Sequence, residues 1–249
     1  MANLRRLLLL GFLALAVPAQ AAAFRVVTEE WAPYNFQQDG QPAGFSVELL
    51  QAALKLLGEH PRIEFMPWNR AYKTALEQPD VLIFSIACTR EREQLFKWVA
   101  PVLPRKMYLY RLASRQDIDL QSIEDAKRWQ VGSNAEQDAS TRDLLRLGFV
   151  QGKNLQLITG KDVQNLHKLQ LGRIDLLASS QLQMAAAARE AGYPLTDFVP
   201  TLLLSGEGED YYFAFSLGTP DSRVAALREA FERLHANGTY AALLEKYTR

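Results

Sequence analysis

From residue 24 onward, apolar positions alternate between short β-type runs and stretches with helical spacing. Residues 24–28 read as a strand. Gly44-Phe45-Ser46 then opens an amphipathic helix, with Ser46 expected as its N-cap and Val47, Leu50, Leu54 and Leu57 on one face. Gly58 and Pro61 mark its end. Residues 62–66 alternate as a strand, residues 68–76 suit a helix, and the apolar run 81–87 suits a strand covered on both faces. The order is that of a βαβαβ unit on a parallel sheet.

A second such unit begins after residues 107–113. Its expected strands are 130–133, 155–159, 174–179 and 198–203, and its expected helices are 139–146, 163–171 and 182–191. The chain then runs through 210–216 into a long helix over 221–236, with Val224, Leu227, Phe231 and Leu234 as its buried stripe and Asn237-Gly238 as its stop. A short last helix covers 240–247. No long linker, repeat or low-complexity tract interrupts the series.

Residues 1–23 have a different pattern: Arg5 and Arg6, an apolar run over 7–17, and the small-residue stretch Pro18-Ala-Gln-Ala-Ala-Ala23. This is the layout of an export signal cut after Ala21 or Ala23, and the apolar run is too short to span a bilayer, which takes about twenty residues. No cysteine lies at the cut to carry a lipid, so a free periplasmic protein is expected.

Charge and composition narrow the function. The chain has 28 basic and 28 acidic residues, and loss of the leader removes two arginines, so nucleic acid is not an expected partner. With Cys88 the single cysteine, no internal disulfide can form, and the fold must rest on apolar burial. Cys88 reads as a small buried apolar residue. His60, His167 and His235 stand apart, without the paired spacing of a metal site. No cofactor is expected.

The stretch with the clearest chemistry is 80–92, an apolar strand that ends in small and hydroxylated residues and leads to Arg90 and Arg92. Arginine presents five donors in a rigid fork that fits a carboxylate two bonds at a time. A surface arginine beside Glu91 is the plainer reading of the same residues.

A resemblance covers nearly all of the chain beyond the leader. Trp31-Ala-Pro-Tyr34, Gly44-Phe-Ser-Val-Glu-Leu-Leu50, residues 85–92, Val131-Gly132, Gly172-Arg-Ile-Asp175, and Asn237-Gly-Thr-Tyr240 with Glu245-Lys-Tyr247 occur in the order seen in extracellular solute-binding proteins. The chain resembles the polar-amino-acid-binding branch that serves ATP-driven importers. Pro67-Trp-Asn-Arg-Ala71 adds likeness to a subgroup of it.

The resemblance implies an α/β protein of the type II periplasmic-binding kind, with two lobes joined by a hinge that the chain crosses twice. The first lobe would comprise 24–109 and 214–249 and the second 110–213, with crossings near 110–113 and 207–213. Ligand would sit between the lobes, which close on it. Arg92 falls on the ligand-carboxylate arginine, Ser85 on the serine facing the same group, and Trp31 on an aromatic wall. Tyr34, Trp68, Arg70 and Ala87 are expected to rim the cleft, although ordinary packing or solvent also explains such residues. Glu29 and Glu30 read as solvent-facing acids.

Two positions depart from the family pattern. The second-lobe aspartate that holds a ligand's α-ammonium is here Ser180, and the small Gly-Thr-Thr turn is Glu136-Gln-Asp138. Glu136 or Asp138 would restore the charge, unless the ligand is not an α-amino acid; Asp138 also suits a helix N-cap. The expectation is a monomeric, non-enzymatic receptor that captures a small carboxylate ligand and meets a membrane permease transiently. The alternatives are a sensor for a signalling receptor or a periplasmic enzyme similar to cyclohexadienyl dehydratases, with a cleft carboxyl as proton donor.

Overall fold

The structure, a computed structural model, describes residues 24–134, 139–158, 162–205 and 210–249. The first segment runs β1 (Arg25–Thr28), β2 (Phe36–Gln38), β3 (Gln41–Ala43), α1 (Phe45–Leu57), β4 (Ile63–Phe65), α2 (Trp68–Glu77), β5 (Val81–Ala87) and β6 (Phe96–Pro104). The middle segment runs β7 (Met107–Leu112), α3 (Ile123–Ala126), β8 (Val131–Ser133), α4 (Ala139–Arg146), β9 (Leu155–Leu157), α5 (Asp162–Gln170), β10 (Leu176–Ser180), α6 (Gln181–Ala191) and β11 (Phe198–Ser205). The chain ends with β12 (Asp210–Ser216), α7 (Asp221–Ala236) and α8 (Thr239–Thr248).

Two five-stranded sheets organise these elements, in the orders β4-β1-β5-β12-β6 and β11-β7-β10-β8-β9. In the first, β1 is parallel to β4 and β5, as the βαβαβ pattern requires, while β12 returns antiparallel between β5 and β6. In the second, β10, β8 and β9 are parallel, and β7 pairs antiparallel with β10 and β11. The continuous apolar run of β5 is buried from Val81 to Ile86 because α1 and α7 cover one face of its sheet and α2 the other. This is the two-lobed α/β architecture that the family pattern implies.

The sequence pattern missed two features. Residues 96–104 form β6, and β7 belongs wholly to the second sheet, so the chain changes sheet at Arg105-Lys106 and not near residues 110–113. Leu109 of β7 packs into one apolar cluster and Tyr110 into the cluster on the opposite face, which makes β7 an interior strand. At the return, β12 pairs within the first sheet from Asp210 onward. Residues 206–209, within the other expected crossing, lie outside the described residues.

Helix α1 also starts differently from expectation. Its N-cap is Gly44, and Ser46 lies inside the first turn, fully buried. Gly44 has φ 111°, and a Cβ there would stand 2.4 Å from the Tyr34 carbonyl oxygen. Backbone bonds from Phe45 to Pro33 and from Ser46 to Tyr34 press the helix start against the 31–35 turn, so only glycine fits. Gly58 ends α1 in the left-handed conformation, as the pattern indicates. Farther along, α8 docks on α1 through Tyr247, which donates to Glu48 Oε1 at 2.5 Å, with Lys246 paired to the same carboxylate.

Gly44→Ala is expected to destabilise the fold by about 2–4 kcal/mol, since it adds both strain and a backbone clash. Gly58→Ala, where no atom lies within 4 Å of the added methyl, is expected to cost only about 1 kcal/mol. Urea unfolding of the two variants measures the difference.

Candidate functional site

The carboxyl ends of β1 and β5 carry most of the residues singled out by the sequence, which is where open α/β sheets present ligand-binding groups. Ser85 has φ 59°, an uncommon conformation for a residue with a side chain. The pairing of β5 with β12 shows the reason: Ile86 faces Tyr212 and Phe84 faces Phe213, which leaves Ser85 as the extra residue of a bulge. Its hydroxyl donates to Ser46 Oγ at 2.9 Å. The left-handed conformation costs roughly 1–2 kcal/mol, so the surrounding pairing must enforce it.

Beside it, the 31–35 turn closes on itself, with Trp31 N–H donating to the Asn35 carbonyl and Asn35 N–H donating back. Asn35 Nδ2 fastens the turn to the Glu29 carbonyl at 2.7 Å. The turn stacks Trp31 on Tyr34, with ring centres 4.0 Å apart, and Tyr211 meets Trp31 edge-on at 5.0 Å. Tyr211 pairs across the strands with Ala87, which joins this aromatic group to the end of β5.

Arg92 follows β5 through a turn closed by its own N–H on the Thr89 carbonyl. Its Nη1 donates to the Ala87 carbonyl at 3.3 Å, and the guanidinium lies 5.1 Å from the ring centre of Tyr72 and 5.9 Å from that of Trp68. Trp68 and Tyr72 are i and i+4 on α2 and so share a face. Arg70, between them, lies on another side of the helix: it is exposed, and its charge acts on Glu64 of β4. The structure therefore brings Arg92, Ala87 and Trp68 together and leaves Arg70 apart from them.

On the second sheet, Ser180 ends β10 and caps α6 in a reciprocal box with Gln183. Its hydroxyl also lies 2.7 Å from Tyr34 Oη, a buried bond between the two lobes. Leu182, two residues on, packs into the apolar cluster of the first lobe. Nearby, Ser133, Ser140 and Thr141 share a buried hydroxyl network, and Asn165 Nδ2 donates to the Ser133 carbonyl. Asp138 and Glu136 lie outside the described residues.

Sequence reasoning did not single out Tyr72 or Tyr211, and took Ser46 only as a helix N-cap. Tyr72 was recoverable from its spacing to Trp68, whereas Tyr211 and Ser46 needed the pairing of distant strands. Two side chains differ from expectation. Cys88 is half-buried, and burial with the carboxylates of Glu93 and Asp210 pushes its thiol up, away from the reactive thiolate. Glu30 is exposed and binds Gln37, but Glu29 is half-buried, and burial raises its pKa above the ordinary carboxylate value.

That shift has a definite sign. A carboxyl whose folded pKa is raised favours folding below its unfolded pKa, and this contribution is lost as pH rises through the folded value. Glu29→Gln is therefore expected to melt above the parent protein at pH 7, with the gap shrinking to nothing as pH falls below the normal glutamate range. Thermal melts from acidic to neutral pH check this.

Comparison with known proteins agrees with this architecture. A curated relative, the "Probable amino-acid-binding protein YxeM" of Bacillus subtilis, is 24% identical over 230 residues, covering 86% of this chain and 79% of that protein. The substrate-binding domain 2 of GlnP from Lactococcus lactis, in its open conformation, superposes with a TM-score of 0.72 at 20% identity, covering 92% of this chain and 96% of that one. An amino acid ABC transporter substrate-binding protein from Streptococcus pneumoniae, bound to L-arginine, gives 0.65 at 20% identity, with 90% and 93% covered. The profile of the bacterial extracellular solute-binding proteins, family 3, matches residues 24–249, and this chain belongs to that family.

Proposed function

We propose that this protein is a periplasmic receptor that captures a small, amino-acid-like carboxylate between its lobes and delivers it to an ATP-driven import permease. The observation that carries this reading is the setting of Arg92. Its guanidinium stands at the carboxyl end of β5 beside Tyr72 and Trp68, with one long bond to the Ala87 carbonyl as its hydrogen bond among the described residues. The remaining donors form a fork suited to a carboxylate.

In this reading Arg92 anchors the ligand, the bulged backbone around Ser85 and Ala87 supplies further polar contacts, and Trp31 and Trp68 cover the ligand's body. Tyr34 and Ser180 mark where the second lobe meets it. The first lobe comprises the described parts of 24–104 and 210–249, the second those of 107–205, and closure turns about the crossings between them. Each charge-assisted hydrogen bond contributes about 1.5–3 kcal/mol, so a few of them with aromatic contact reach the roughly 8 kcal/mol of a micromolar complex. Residues 1–23 serve as the export leader. The relatives named for amino acids support the ligand class, and family membership supports the transport role.

Arg92→Ala is expected to lose the thermal stabilisation given by the cognate carboxylate, with a fall in affinity of about a hundredfold or more, while its circular dichroism and ligand-free melting stay near those of the parent. Arg92→Lys should recover only part of the affinity, because an ammonium cannot form the two-pronged contact. Calorimetry on the variants tests both statements; undiminished affinity in Arg92→Ala would remove this residue from the site.

A further inference from the structure

Two separate ties hold the Arg92 side chain and its loop, and one row of aromatic rings carries both. The guanidinium carbon stands over the ring of Tyr72, 5.1 Å from its centre, and over that of Trp68 at 5.9 Å. Tyr72 is the nearer ring, and it is itself fixed. It meets the buried Phe96 of β6 edge-on at 5.6 Å, and Phe96 meets Trp98, two residues on along the same strand, at 5.8 Å. The row then returns to the loop it started from, because Trp98 Nε1 donates to the Glu93 carbonyl at 2.9 Å. Arg92 is thus held at its tip from α2 and beside its backbone from β6.

The loop's own bonds, Arg92 N–H to the Thr89 carbonyl and Leu95 N–H to the Arg92 carbonyl, order the backbone only. A long side chain that must be ordered when it grips a ligand loses rotamer freedom at that moment, and binding is weaker by that loss. Ring faces order the cation beforehand through its charge, and they consume none of its N–H donors. A carboxylate at the position of Tyr72 would order it by taking the two-pronged fork for itself. With the rings in that role, the hydrogen bond of the guanidinium among the described residues is the long one from Nη1 to the Ala87 carbonyl.

We infer that Tyr72 is a positioning residue of the binding site: its ring, braced by Phe96 and Trp98, orders the Arg92 guanidinium in advance and so sets affinity and the preference for a charged ligand group. The inference rests on the carboxylate reading of Arg92 above and names what readies that arginine for its ligand.

Nitrogen-15 NMR of the Arg92 Nε–Hε group, assigned by its loss in Arg92→Lys, follows the side chain directly on the protein without its leader. Without ligand this group is expected to be rigid in the parent and mobile in Tyr72→Leu, with Tyr72→Phe restoring rigidity because it keeps the ring face. Binding is read on the same signal with acetate, propanoate and L-alanine, each against its amide. For whichever carboxylates bind, Tyr72→Leu is expected to weaken affinity about fivefold or more and to narrow the preference over the amide, while Tyr72→Phe recovers most of both. If Tyr72→Leu does not fold, Trp98→Phe, which keeps a ring and removes the bond to Glu93, is expected to mobilise Arg92 in the same direction. An Arg92 signal as mobile in the parent as in the variant, an unchanged affinity, or acid and amide weakened alike overturns this inference alone. Failure of every carboxylate to move the Arg92 signal overturns the carboxylate reading and this inference with it.

Discussion

A single buried hydrogen bond, Tyr34 Oη to Ser180 Oγ, joins residues 146 positions apart and ties the turn after the first strand of one sheet to the last residue of a strand in the other. Its net contribution to stability is about 1 kcal/mol. The bond is therefore more important for position than for strength. The start of α6, set by the Ser180–Gln183 box, is thereby joined to the first lobe, and Leu182 packs into that lobe's core.

Local strain accompanies the carboxyl end of β5 in the first lobe. Ser85 is held in a left-handed conformation by the mismatch between β5 and β12, and its hydroxyl is passed to Ser46 within the first turn of α1. Ser46 in turn donates its N–H to the Tyr34 carbonyl. A bulge in the sheet, a helix start and the aromatic turn are thus one continuous hydrogen-bonded unit, and Gly44 is the backbone position that lets them approach so closely. Arg105, at the change of sheet, pairs with Asp143 of α4 at 2.7 Å with both side chains largely buried, which anchors the crossing to the second lobe.

Much of the fold was readable from the chain because its elements are set by local periodicity. The apolar run 81–87, the stripe of α7 and the glycine stop of α1 each follow from neighbouring residues. What could not be read depended on partners far away. The run 96–104 is a strand because β12 pairs with it, and Ser46 is buried in place of capping because Gly44 and the 31–35 turn occupy the helix start. At the candidate site the same divide holds. Trp31, Tyr34 and Ser180 are each visible in the family pattern, but the bond between the last two is not. Arg70 and Trp68 are two residues apart, and the helical turn sends them to different sides.

The account's central claim is that a ligand carboxylate meets Arg92 between the two lobes. A crystal structure with the carboxylate that stabilises the protein most would test it directly. The account predicts carboxylate oxygens within hydrogen-bond distance of the Arg92 guanidinium, the ligand's body against Trp31, and the Tyr34–Ser180 bond intact. A ligand bound elsewhere, or one in the cleft whose carboxylate leaves Arg92 untouched, would contradict it.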